Sequence, residues 1–166
     1  GDPWGGRFKG KVDTERVVLV GHSRGGEGVN RAAIDASGND PFRIVGILSI
    51  GPTAFGRQVT PDVHSATILP SCDGDVLDLQ GQAYVDASRD LAPSTALRSA
   101  VTALGANHNY FNTEWTPGLA QAPANDDWFD TEDPTCGDSG SVRLTPAQQQ
   151  KGGATYTAAL VRLAVD

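Results

Sequence analysis

The chain has 166 residues, 39% of them hydrophobic and 20% charged, which suits one sizeable globular domain or part of a larger one. A formal net charge of -7 argues against a nucleic-acid binder, which needs a basic face to neutralise phosphates. Apolar runs such as Val17–Val20 and Ile44–Ile50 are far too short for a membrane-spanning helix.

No Met occurs and no signal or transit pattern opens the chain, so polypeptide is expected upstream of residue 1. Gly1–Gly10 is rich in Gly and reads as loop. Val17–Val20, bounded by charge before and Gly21 after, reads as a buried strand. Over Gly25–Ala36, the residues Val29, Ala32, Ala33 and Ala36 recur at helical spacing, with Gly38 as a stop. Phe42–Ile50, ended by Gly51-Pro52, reads as a second strand, and Ala66–Leu69, ended by Pro70, as a third. Gln80–Leu91 reads as a helix stopped before Pro93, and Ala100–Leu104 as a fourth strand ended by Gly105. Thr145-Pro146-Ala147-Gln148 supplies an N-cap, a Pro at the first helical position and a capping-box Gln. The helix it opens, to about Leu163, would bury Tyr156, Ala159, Leu160 and Leu163. No repeat or linker divides the chain. Strand, helix, strand, strand, helix, strand implies crossover connections and a mainly parallel sheet, an α/β protein.

Gly21-His22-Ser23-Arg24-Gly25, followed by Gly26, matches G-x-S-x-G. The five-residue pattern alone is weak, and a tight turn would also produce it. Here it joins a strand to a helix, the context in which such a Ser becomes a nucleophile. Side chains at the flanking positions would collide with neighbouring elements in so sharp a turn. The turn would expose the Ser23 hydroxyl and aim the helix N-terminus at a reacting carbonyl. The backbone N–H of Arg24 would then be one donor to a developing oxyanion.

A nucleophilic Ser needs a base, and the base needs an orienting carboxylate. Of the three His residues, His22 adjoins Ser23 on a turn where neighbours point apart. His64 precedes the third strand, the wrong end for a site at strand C-termini. His108 follows the fourth strand directly and is the candidate base. After the third strand, Asp73 comes soonest and leaves Gly74 to open the turn behind it. Asp75 is the alternative acid, and Asp78 a more distant one.

Six acids, Asp126, Asp127, Asp130, Glu132, Asp133 and Asp138, lie together without a Lys or Arg among them. They account for nearly all the net charge, so acidity belongs to one loop. That loop reads as solvated; calcium held through Asp126, Asp127, Asp130 or Glu132 is the alternative. Its spacing fits no EF-hand. Cys72 and Cys136 lack metal-ligand spacing, so zinc is not expected; no metal and no cofactor is assigned. Paired, they would close a long loop and favour an oxidising compartment; two separate buried thiols are the alternative. Phe55, at the functional edge of the sheet, is a candidate pocket residue or a packing residue, as are Tyr110 and Trp115. Cys136-Gly137-Asp138-Ser139-Gly140 is similar to the nucleophile segment of trypsin-like proteases, with His64 and Asp73 available as partners. Ser141 and the helix that follows depart from that pattern.

The order Ser23, Asp73, His108, each after a strand, resembles the α/β-hydrolase superfamily. "KVDTERVVLVGHSRGGEGV" from Lys11 to Val29, "ILPSCDGDV" and "GANHNYFN" are similar to secreted bacterial esterases of the dienelactone-hydrolase and polyester-hydrolase (cutinase-like) branches. The resemblance covers about Lys11–Asn112 as a catalytic core, and more loosely the terminal helix. It implies a secreted serine esterase that forms an acyl-enzyme on a small or polymeric ester. A peptidase and a non-catalytic binding domain of the same fold are the alternatives. The acidic loop of residues 113–144 exceeds what compact members carry, and a Cys72–Cys136 bond would tether it beside the acid. In this superfamily several strands precede the nucleophile strand, and the first oxyanion donor comes from a loop among them. Here about 16 residues precede that strand. Alone, Val17–Val20 would form an apolar edge. The expectation is therefore the C-terminal half of a hydrolase domain, partnered by its missing N-terminal part.

Overall fold

The four runs that read as strands form strands in a computed structural model that describes residues 4–36, 38, 40–56, 58–91 and 93–166. These are β1 (Val17–His22), β2 (Ile44–Ile50), β3 (His64–Pro70) and β4 (Arg98–Ala103). The helices are α1 (Arg24–Asp35), α2 (Gln82–Ser88) and α3 (Pro146–Val165). The sheet is parallel throughout, in the order β1-β2-β3-β4, and the α/β expectation holds. Residues 4–10 form turns; the first three residues of the expected Gly-rich loop lie outside the described residues.

Strand alternation assigns the layers. In β2, Ser49 Oγ accepts from Asn30 Nδ2 of α1 at 2.7 Å, so that face meets α1. Gly46, on the opposite face, lies where an added Cβ would come 3.0 Å from Ala164 Cβ of α3. The core on the α3 side gathers Leu48, Ile50, Ala66, Ile68 and Leu160, with Val18, Ala103 and Phe111 packed around them. Two helical layers thus sandwich the sheet. β1 pairs with β2 alone among the described residues, and Val20 on that edge is 47% exposed. Among the described residues no helix is long and apolar enough to cross a membrane.

Three details depart from the sequence reading. α2 spans Gln82–Ser88 and not Gln80–Leu91; ahead of it Leu79 takes φ 52°, and Gln80 turns its side-chain oxygen to the Ala54 N–H at 2.9 Å. In α1 the buried residues are Gly26, Asn30 and Ala33, and Ala32 faces solvent. The capping box of α3 forms as read, but its buried residues are Gln149, Gly153 and Leu160. Tyr156, Ala159 and Leu163 are exposed. Both helices bury small and amide side chains that an apolar count ignores, since close approach to the sheet needs small residues and the amides find partners.

Candidate active site

Chain order brings four segments to one edge, because each parallel strand ends on the same side: Ser23 after β1, Gly51 after β2, Asp73 after β3 and His108 after β4. Ser23 has φ 57° and ψ -126°, a backbone region that a side-chain-bearing residue occupies only when its surroundings enforce it. Those surroundings are visible. An added Cβ at Gly21 would come 2.1 Å from the Gly25 oxygen, and one at Gly26 2.6 Å from Pro52 Cβ. Gly25 is open, with nothing within 4 Å of the same position, so the collisions expected on both flanks occur at Gly21 and Gly26. The Ser23 N–H donates to the Ile50 oxygen at 2.9 Å, while its own oxygen accepts from Gly26 and Glu27. Ser23 is therefore the N-cap of α1, and the Arg24 N–H, at the first helical position, has no intrahelical acceptor.

The Asp73 carboxylate is fully engaged. Its Oδ1 accepts from the Asp75 N–H at 2.9 Å and the Val76 N–H at 2.7 Å, and its Oδ2 lies 2.8 Å from His108 Nδ1. Both side chains are 1% exposed. Asp73, and not Asp75, therefore holds Nδ1. Asp75 lies elsewhere, its Oδ2 3.6 Å from His108 Nε2. Burial disfavours the His108 imidazolium, but the Asp73 hydrogen bond and charge, aided by Asp75 and Asp126, outweigh it and raise the pKa. Among the described residues Ser23 Oγ closes no hydrogen bond to His108 and does not cap α1. Such links commonly tighten only when substrate is bound.

His22 is nearer this pair than the turn argument implied. Its ring centroid is 4.7 Å from that of His108 and 4.6 Å from that of Trp115. Burial above all, then the nearby His108 charge, pulls its pKa down to about 4, so it stays neutral at ordinary pH. Asn112 Oδ1 accepts from the Trp115 N–H at 2.9 Å, which turns Asn112 Nδ2 to His22 Nδ1 at 3.3 Å. With Asn112 Nδ2 as donor to Nδ1, the His22 proton falls on Nε2, a buried atom that has no hydrogen-bond partner among the described residues.

Long-range tethers hold the Asp73 and His108 loops. Cys72 and Cys136 form a disulfide, with Cα atoms 5.3 Å apart across a sequence separation of 64. It ties the acidic loop to the residue before Asp73. The loop then crosses Gly74, whose N–H donates to the Asp126 oxygen at 3.2 Å; an added Cβ there would come 1.9 Å from the Asp127 oxygen. Arg143 forks onto Asp127 at 2.5 and 2.6 Å. Against the cost of burial, that guanidinium and the Trp128 N–H hold the Asp127 carboxyl below the usual range. The acidic loop is thus not merely solvated, because part of it packs and pairs. Among the described residues, no three His, Cys, Asp or Glu side chains gather as a metal site.

Two positions escaped the sequence reading. Gln149, 1% exposed, accepts from the Asn107 N–H at 3.0 Å and donates to the Asn107 oxygen at 2.7 Å. It clamps the residue before His108 to α3, and nothing in the run Gln148-Gln149-Gln150 marks which of the three is buried. Gly51 has φ +47°, and an added Cβ would come 3.1 Å from Asp73 Oδ2; Gly-Pro after a strand marked only a turn.

The other candidates disperse. Phe55, 66% exposed, lies under the Arg24 guanidinium, 5.8 Å from the ring centroid. With Ala54, Ala83, Ala87, Asp78 and Asp86 it lines an open groove of about 560 Å³. The Tyr110 hydroxyl turns to Asp127 at 3.5 Å. His64 Nδ1 accepts from the Leu97 N–H at the opposite end of the sheet, and Ser139 is exposed. A His64–Asp73–Ser139 grouping is therefore overturned: Asp73 is bonded to His108, and the sheet is parallel α/β. No protein-family model matches the chain, and no curated protein matches it significantly.

Proposed function

We propose that the chain is a secreted serine hydrolase of the α/β-hydrolase type that cleaves carboxylic esters. The observation that carries this reading is the enforced positive-φ backbone of Ser23 at a strand-to-helix turn, on the same sheet edge as a buried His108–Asp73 pair. Strain of this kind persists where the fold over-determines it, and reactive residues are where it clusters. The disulfide supports an oxidising compartment. Phe55 and its groove supply apolar surface for an acyl or alcohol group.

In this mechanism Ser23 Oγ attacks the ester carbonyl while His108 Nε2 takes its proton. The imidazolium that forms is stabilised by Asp73 on Nδ1. The Arg24 N–H, at the positive end of α1, faces the developing oxyanion. His108 then returns the proton to the leaving alkoxide, which departs as the alcohol. In the second half, water attacks the Ser23 acyl ester as His108 takes its proton, and proton return to Ser23 frees the acid.

Hydrolysis of p-nitrophenyl butyrate tests the reading. Ser23→Ala and His108→Ala should each lower kcat about 10⁴-fold or more while the fold is retained. Asp73→Asn should cost far more activity than Asp75→Asn. Turnover that survives Ser23→Ala would contradict the proposal, and cleavage of peptides in place of esters would turn it to a peptidase.

A further inference from the structure

His108 has a carboxylate at each ring nitrogen. Asp73 Oδ2 is 2.8 Å from Nδ1 and Asp75 Oδ2 is 3.6 Å from Nε2. The two acids are unlike. Asp73 is 1% exposed, and both its oxygens have partners. The Asp75 side chain is 51% exposed, and among the described residues no hydrogen bond fixes its carboxylate. It stands beside the nitrogen that, in the mechanism above, must exchange a proton with Ser23 and the leaving group. Ser23 Oγ, meanwhile, makes no hydrogen bond to that nitrogen.

We propose that Asp75 is a second charge partner of His108, standing at Nε2 where Ser23 must approach and setting the pH at which the base is released. This rests on the reading of Ser23 and His108 as nucleophile and base. When His108 is charged, its Nε2 side carries positive charge 3.6 Å from an anion, and the contact is favourable. When His108 is neutral with its proton on Nδ1, the bare lone pair of Nε2 faces the same anion, and the contact is unfavourable. Asp75 therefore favours the charged base that cannot accept a proton from Ser23. A half-exposed carboxylate that no hydrogen bond fixes can swing away once an ester fills the site, so the brake acts most before substrate binds and as pH falls.

Other charges also face this imidazole. Asp73 holds Nδ1, Asp126 adds its charge from the acidic loop, and the tilted His22 ring lies 4.7 Å from the imidazole. A change at Asp75 must be separated from all three. The geometry distinguishes it, because among the described residues Asp75 is the carboxylate at Nε2.

The test is an NMR titration of the His108 ring in the intact Ser23→Ala protein, which needs no activity, paired with pH profiles of p-nitrophenyl butyrate hydrolysis by the protein with Ser23 intact. Asp75→Asn should move the His108 midpoint to lower pH and leave its Nδ1 bond to Asp73 in place. It should also raise kcat/KM on the acid limb about threefold, the size expected for loss of one half-exposed charge contact, with little change on the alkaline plateau. Asp126→Asn, a charge removal without the contact, should move both readouts less. An unchanged midpoint in Asp75→Asn, or a shift no larger than that of Asp126→Asn, would overturn the proposal. A midpoint that moves as expected in a protein that hydrolyses no ester would retain the Asp75 contact and remove the hydrolase reading instead.

Discussion

Ser23 and the Asp73–His108 pair sit at ends of the same parallel sheet, yet different forces hold them. The Ser23 turn is fixed by backbone sterics: Gly21 against the Gly25 backbone four residues on, and Gly26 against Pro52 of the loop after β2. The acid and base are fixed by contacts far apart in sequence. The disulfide, the Arg143–Asp127 fork and the Gln149 clamp join them to the acidic loop and to α3. A strained turn can be enforced by close packing at glycines, whereas holding a buried hydrogen-bonded pair takes bonds from distant elements.

The largest way to break the comparison is on the local side. Gly21→Ala places a Cβ against backbone that cannot retreat, and should cost about 5 kcal/mol or more, enough to unfold the domain. Gly25→Ala, four residues on and free of contacts, should leave stability equal or up to about 1 kcal/mol higher, since Ala suits a helix better than Gly. Urea unfolding of the two variants compares them directly. Equal losses would mean that the turn is not sterically enforced.

On the distant side, replacing Cys72 and Cys136 by Ala should lower unfolding free energy by about 4 kcal/mol in the chain-entropy account, read from the same urea curves. Free thiols in a native titration of the parent protein would contradict the bond. Gln149→Ala should cost about 2 kcal/mol by leaving the Asn107 N–H and oxygen buried without partners. A positioning role adds a loss of about tenfold in kcat with KM nearly unchanged. Gln149→Glu, which keeps the acceptor for the Asn107 N–H, should recover part of that kcat loss.

The stack on His108 gives a pH signature. The His22 pKa is about 4 in the fold and near 6.5 when unfolded, so between those values the unfolded chain binds more protons. Stability contributed by neutral His22 is present above about 6.5 and is lost as pH falls towards 4, by at most about 3 kcal/mol. The raised His108 group runs the other way: its contribution is present below its unfolded value and lost as pH rises through its folded one. His22→Phe keeps a ring in the stack and removes the His22 proton, so its stability should fall less than the parent's between pH 6.5 and 4. Parallel curves would place the loss elsewhere.

The same contrast explains what could be read in advance. The Ser23 turn was legible because Gly21 and Gly25 lie beside it and a strand and helix flank it, whereas the Gly26–Pro52 contact across 26 residues was not. Asp73 and His108 were legible as the first suitable residues after their strands, which is a consequence of the parallel sheet. Their supports were not. Gln149 meets Asn107 across 42 residues, and Arg143 meets Asp127 from a loop with no periodicity. The buried face of α3 was misplaced because its contacts are made by Gln149 and Gly153, not by the apolar residues that a helical count weighs. His22 was set aside on the local turn alone, while its packing came from Trp115 and His108.

The central claim is that Ser23 is a nucleophile activated by His108. Its most direct test is the intact mass of the protein after exposure to a fluorophosphonate, with the adduct mapped by peptide sequencing. One adduct on Ser23, lost or strongly slowed in His108→Ala, is the result expected. No adduct, or an adduct on another serine that persists in His108→Ala, would contradict it.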